Sequence, residues 1–158
     1  MRYWLMKSEP DEFSIEDLKN RPRQTEGWDG VRNYQARNFM RDDMREGDLA
    51  FFYHSNTKVP GVVGIMRISR EGYPDDTAFD PKDPHYDPKS DPDKPRWYRV
   101  DVTYERELDR VIPLSEIKDH ADELEGLPLV RKGNRLSVMP IDKKHWDFIL
   151  GMEHAGEE

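Results

Sequence analysis

Cysteine is missing from the 158-residue chain, which excludes disulfide staples, thiolate nucleophiles and cysteine-ligated metals together. A reducing compartment fits that absence, and cytoplasm is the expected location. Long apolar runs are missing as well. The opening MRYWLMKSEP has no apolar core of signal-peptide length, and no stretch approaches the roughly 18 apolar residues of a membrane span. The chain therefore reads as soluble and unexported, with no membrane partner. Positive charge is in deficit: 25 Lys and Arg face 33 Asp and Glu, for a formal net charge of -8. The molecule as a whole thus exerts no long-range pull on nucleic acid, and any anion site has to be local.

Nucleotide and metal fingerprints are absent too. The glycines of GVVGIM satisfy neither GxxxxGK[ST] nor GxGxxG, which disfavours a nucleotide hydrolase. His54, His85, His120, His145 and His154 form no HExxH and no close helical pair. His120, among Asp119, Asp122 and Glu123, reads as a solvated helix face. No metal and no cofactor are expected.

What the chain does have is six Phe, seven Tyr and four Trp among 37% charged residues, enough for one compact domain with a charged surface. RYWLMK (residues 2–7) is aromatic and apolar and stops at Ser8-Glu9-Pro10, the pattern of a first strand. In FSIEDL, Ser14 is placed to cap a short helix with Asp17 at the reciprocal position, and Phe13 and Leu18 have the spacing of a hydrophobic staple. Over residues 33–45, Ala36, Phe39, Met40 and Met44 share one helical face, while Arg37, Arg41 and Arg45 step along another. LAFFYHS and GVVGIMRI read as buried strands of a hairpin. Residues 71–95 hold six prolines and eight acidic residues against three lysines, a long surface loop suited to serve as a flap.

WYRVDVTYER alternates with the period of a half-buried strand. A helix is expected over residues 115–124, a last strand within LVRKGNRLSVMP and a closing helix from Asp142 to Leu150. Residues 153–158 are expected to fray. Four or five strands without regular helix alternation disfavour a doubly wound sheet and favour a small mixed barrel.

Polar residues collect where the apolar runs end. Lys7, Ser8 and Glu9 follow the first strand, either as a pocket edge or as a capped turn, and Tyr53, His54, Ser55 and Asn56 end another. In WDGVRNYQARNFMR, Trp28 offers a flat apolar platform, or alternatively a core ring, and Asn33 an amide that donates and accepts. These are tools for holding an extruded base: stacking contributes ~1–3 kcal/mol, and a carboxylate such as Glu9 accepts from an exocyclic amine. Arg131, Lys132 and Arg135 surround a glycine turn with no acid among them, read as a phosphate contact or a solubilising turn. In DPKDPHYDPKSDPD the prolines break the ligand spacing of a calcium loop, which favours a solvated loop over a metal site.

Taken together, RYWLMKSEP, FSIEDL, WDGVRNYQARNFMR, FFYHSN, PGVVGI, DPKSDPDKPRWYRVDV and LVRKGNRLSVMP closely resemble the EVE domain family over nearly the whole chain, as a single domain at residues 1–152. The resemblance implies an α+β, PUA-like fold: a mixed β pseudo-barrel with short peripheral helices, related to YTH domains. It implies a non-catalytic module that binds nucleic acid and reads a modified base in an aromatic-lined pocket. Modified cytosine in DNA is the leading ligand and modified RNA its competitor.

Carried onto this sequence, the resemblance assigns Lys7, Ser8, Glu9, Trp28, Asn33, Tyr53, His54, Ser55 and Asn56 to the pocket, with Trp97 as cage or core. Arg37, Arg41, Arg131, Lys132 and Arg135 would meet phosphates, although the arginines of the helix have an alternative in pairing with the acidic loop. Two other classes compete. One is a hydrolase or base-modifying enzyme using Glu9, His54 and the loop carboxylates; the other is a protein-interaction module whose acidic loop recruits a basic partner. Any effector is expected to be a separate protein.

Overall fold

Trp4, Leu5 and Met6 are all buried, so the first strand, β1 (Tyr3–Ser8), is covered on both faces. The computed structural model describes residues 1–154. In it β1 lies inside a six-stranded sheet, paired parallel to β3 (Leu49–His54) and antiparallel to β6 (Val138–Ile141). The hairpin partner of β3 is β4 (Gly61–Pro74), which pairs antiparallel with β5 (Tyr98–Pro113). A three-residue strand, β2 (Thr25–Gly27), completes the order β2-β5-β4-β3-β1-β6.

Side chains alternate across this sheet into two cores. Trp4, Met6, Phe52, Met66 and Val102 pack on one face under α1 (Ile15–Lys19) and α2 (Tyr34–Asn38). Leu5, Phe51, Tyr53 and Met139 pack on the other under α3 (Leu114–Asp119) and α4 (Lys143–Gly151). The result is the α+β, PUA-like arrangement with short peripheral helices. Among the described residues no helix is long and apolar enough to cross a membrane.

Local chemistry explains several boundaries. Ser14 accepts from the Asp17 N–H and Asp17 from the Ser14 N–H, at 3.1 and 2.9 Å, the capping box expected at α1. The helix expected over residues 33–45 instead ends as a single π turn over Phe39–Asp43, closed by the Met44 N–H on the Phe39 carbonyl. This keeps Ala36, Met40 and Met44 all buried. The glycines of GVVG serve packing: a Cβ on Gly64 would stand 2.6 Å from Ile15 of α1 and 2.9 Å from the Arg106 carbonyl. β4 and β5 run longer than their sequence patterns because bulges interrupt the alternation, at Val62/Gly64, Ile65/Met66, Ile68/Arg70 and Arg70/Tyr73.

Two buried carboxylates anchor the chain ends. Asp48 accepts from the Arg2 and Arg45 N–H groups and from the Trp4 indole, each at 3.0 Å. Glu153 corrects the expectation that the tail frays from residue 153. Its side chain is 2% exposed and is gripped by both terminal nitrogens of Arg106 and by the Asp109 N–H. The rest of that expected tail, residues 155–158, lies outside the described residues. Hydrogen bonding to Arg106 is the main reason the Glu153 carboxyl falls from 4.5 to about 2. Because the folded value is the lower one, the pair stabilises the fold above pH 4.5, and that stabilisation fades as pH falls toward about 2. The difference in unfolding free energy between wild type and Glu153→Gln, measured by urea titration across that range, is expected to shrink on acidification.

Candidate functional site

The carboxyl ends of β1 and β2 open onto a cleft of about 590 Å³, within the size range of small-molecule sites. One wall is aromatic. Trp28 meets Phe13 edge-on at 6.2 Å and Phe52 at 5.2 Å, and it is only 6% exposed. Trp28 is therefore both the wall of the cleft and part of the core behind it.

The turn after Trp28 is held by a carboxylate that is distant in sequence. Asp75, fully buried, accepts from the Gly30 N–H at 2.9 Å, from Arg32 at 3.0 Å, and from both the N–H and hydroxyl of Thr77. Burial alone would raise its carboxyl, but the bonds from Thr77, Gly30 and Arg32 outweigh that and hold it below the ordinary value. Arg32 also donates twice to the His85 carbonyl, at 3.2 and 2.6 Å, and lies 5.4 Å over the Trp97 ring. Gly30 has φ +76°, and a Cβ there would sit 2.6 Å from the His85 ring. Only glycine lets His85 close against the turn and become part of the cleft wall.

The acidic loop that carries His85 is built from repeated turns. In each of its four Asp-Pro steps, Asp80, Asp83, Asp87 and Asp91, the side chain accepts the N–H two residues on. The same four carbonyls accept from the N–H three residues on, as in turns with proline at the second position. One oxygen of each carboxylate is thereby bonded to its own backbone.

Of the residues assigned from sequence, Lys7, Ser8, Glu9, Trp28, Ser55 and Arg135 line the cleft. Desolvation, then the nearby charge of Lys118, pushes Lys7 below its ordinary value. Ser8 donates to the Phe13 carbonyl at 2.7 Å, and Glu9 accepts from Asn56 at 3.0 Å. Asn56 is bonded to a cleft residue without lining the cleft itself.

The others go elsewhere. Tyr53 points into the opposite core because its position on β3 has the wrong parity, and burial pushes its hydroxyl up to about 12. His54 spends Nε2 accepting the Ile15 N–H at 3.1 Å, and burial pushes its ring down. Asn33 caps α2 through the Ala36 N–H at 3.0 Å. Trp97 donates to Asp87 at 2.7 Å and stacks on Tyr34.

Arg131, Lys132 and Arg135 share a second, shallower hollow with Asn33 and Gln35. Arg135 lines both hollow and cleft. Arg37 and Arg41 line neither: Arg37 donates to the Arg96 carbonyl at 2.7 Å, and Arg41 pairs with the adjacent Asp42. Neither makes the pairing with the acidic loop weighed for it; the arginine that does pair there is Arg32, with Asp75.

Sequence reading passed over Arg32, Asp75 and Asp29. Asp29 sits in the cleft with a side chain 36% exposed; His85 is 3.8 Å and Arg99 4.0 Å away. Burial, then the neighbouring Asp75, raises its carboxyl above the ordinary value.

A mixed sheet with short helices on both faces, opened by a cleft where strand ends meet a glycine turn, defines a PUA-like domain with a ligand-sized site. The EVE domain model matches residues 2–152, and the chain belongs to that family. Mouse thymocyte nuclear protein 1 is 52% identical, over 97% of this chain and 74% of its own length. A solved protein of Pseudomonas syringae shares 49% identity with a TM-score of 0.91, covering 96% of this chain and 99% of its own. Human THYN1 protein, solved in complex with 5-methylcytosine-containing DNA, shares 48% identity with a TM-score of 0.89, covering 97% and 98%.

The relatives overturn the cytoplasmic expectation, since those about half identical are named as nuclear proteins. A cysteine-free composition fits cytosol and nucleus equally and does not distinguish them.

Two outcomes test this geometry. Trp28→Ala is expected to destabilise the fold by about 3–5 kcal/mol in chemical denaturation, as befits a core ring. Arg32→Ala is expected to speed amide hydrogen exchange across residues 76–94 roughly tenfold, while exchange in β1 and β3 stays unchanged.

Proposed function

We propose that this domain binds nucleic acid without catalysis, accepts an extruded modified base in the cleft, and is tuned to modified cytosine in DNA. The observation that carries this reading is Arg135, which lines both the aromatic-walled cleft and the basic hollow of Arg131 and Lys132. A base and its adjoining phosphate need those two environments side by side. The 5-methylcytosine DNA held by the human THYN1 protein supports the same ligand class.

Of the residues named for the enzyme reading, Glu9 stays in the cleft, but its companions are engaged elsewhere. His54 is committed to Ile15, and the Asp-Pro carboxylates to their own turns. Those commitments also weaken the case for the acidic loop as a recruiting surface. A reader without chemistry leaves the downstream event to a separate effector protein.

Burying one methyl group contributes only ~1 kcal/mol, so the preference for methylated over unmodified cytosine is expected to be modest. Binding of short DNA and RNA carrying cytosine, 5-methylcytosine or 5-hydroxymethylcytosine, at low and physiological salt, tests the proposal. A preference for methylated DNA that persists at the higher salt is the expected result; uniform binding that salt abolishes overturns it. Arg131→Ala is expected to weaken every oligonucleotide alike and to lower the salt slope by about one unit.

A further inference from the structure

The four carboxylates on the cleft are not equivalent. Glu9 is held by Asn56, Glu26 by Arg21 at 2.7 Å and by the Gly27 N–H, and Glu12 is exposed at the rim. Asp29 is half-buried beside the aromatic wall and makes no hydrogen bond among the described residues: its neighbours His85 and Arg99 stand at 3.8 and 4.0 Å, too far to fill its oxygens. A partly desolvated carboxylate with open acceptor positions is completed by a ligand that brings an N–H donor.

We propose that Asp29 is the specificity-determining group of the cleft: its carboxylate accepts a hydrogen bond from the exocyclic amino group of the bound base, selecting amino-bearing bases against keto bases. This deepens the base-reading function proposed above and rests on it. Cytosine carries an amino donor where thymine carries a carbonyl oxygen. In this cleft the thymine oxygen would face Asp29 and leave the carboxylate both unpaired and repelled, the situation in which sites reject ligands most strongly.

The surroundings of Asp29 set a pH dependence of known sign. Asp75 and Asp83 add negative charge, while His85 and Arg99 oppose them. Burial and Asp75 lead, so Asp29 takes up a proton at a higher pH than an ordinary aspartate. The amino-reading form is the ionised one. Selectivity is therefore full above that raised value and is lost as pH falls through it.

5-Methylcytosine and thymine make a clean pair of probes, because both carry the methyl group and differ at the edge that Asp29 would read. Single-stranded DNA oligonucleotides identical except for cytosine, 5-methylcytosine or thymine at one position are titrated with wild type, Asp29→Ala and the near-isosteric Asp29→Asn. Melting curves verify that both variants fold. Wild type is expected to favour 5-methylcytosine over thymine about tenfold or more, with the ratio falling on acidification. Both variants are expected to bring the ratio to within about twofold and to remove its pH dependence. A ratio unchanged in folded Asp29→Asn and Asp29→Ala overturns the assignment of Asp29 and leaves base reading by the cleft intact. Equal binding of all three oligonucleotides by wild type overturns the base-reading proposal, and the role of Asp29 with it.

Discussion

The cleft depends on one buried charge. Removing a carboxylate from water is strongly unfavourable unless its oxygens are paired, and Asp75 is fully buried. Arg32, Gly30 and Thr77 supply that pairing, and in doing so bring two distant segments together. The residue just beyond β4 is fastened to the turn after Trp28, while the same arginine holds the acidic loop by the His85 carbonyl. The turn after Trp28 and His85, two parts of the cleft wall, refer back to this bond set. Asp48 plays a comparable part at the opposite end of β1, where three N–H groups from separated segments converge on it.

Where the chemistry is local, the sequence was legible. The capping box of α1 needs only four residues, and β1, β3 and the start of β4 announce themselves by apolar runs bounded by turn residues. The cleft residues Lys7, Ser8 and Glu9 followed from the end of β1. Parity defeated the same reasoning one strand away: neighbouring residues on β3 face opposite cores, so Tyr53 and His54 could not both reach one site. Arg32 and Asp75 are 43 residues apart, and no local pattern couples them. The register shifts that lengthen β4 and β5 erase the alternation by which their far ends would be recognised. The Asp-Pro turns did carry a readable signal, four aspartates each followed by proline, which the expectation of a long surface loop did not resolve into turns.

The net charge of -8 takes on a different meaning once the acids are located. Many carboxylates of the loop accept backbone N–H groups, and Glu153 and Asp75 are buried against arginines. Arg131, Lys132 and Arg135, by contrast, project from an exposed turn. The local field at the hollow is therefore set by those few cations more than by the total, as expected where solvent and salt screen distant charges.

The four Asp-Pro turns also bear on how this part of the chain reaches its folded form. Each closes within three residues, so ordering one requires none of the others and almost no loop-closure entropy. Proline further narrows the conformations open to the unfolded segment. The stretch from Asp80 to Lys94 thus behaves as a string of independently closing links, of low contact order, which can form ahead of the sheet and dock when Arg32 and Asp75 come together. Its natural unit of variation is one link: adding or removing a single Asp-Pro turn beyond His85 would change the length of the loop while leaving the three-residue closures of the remaining links as they are.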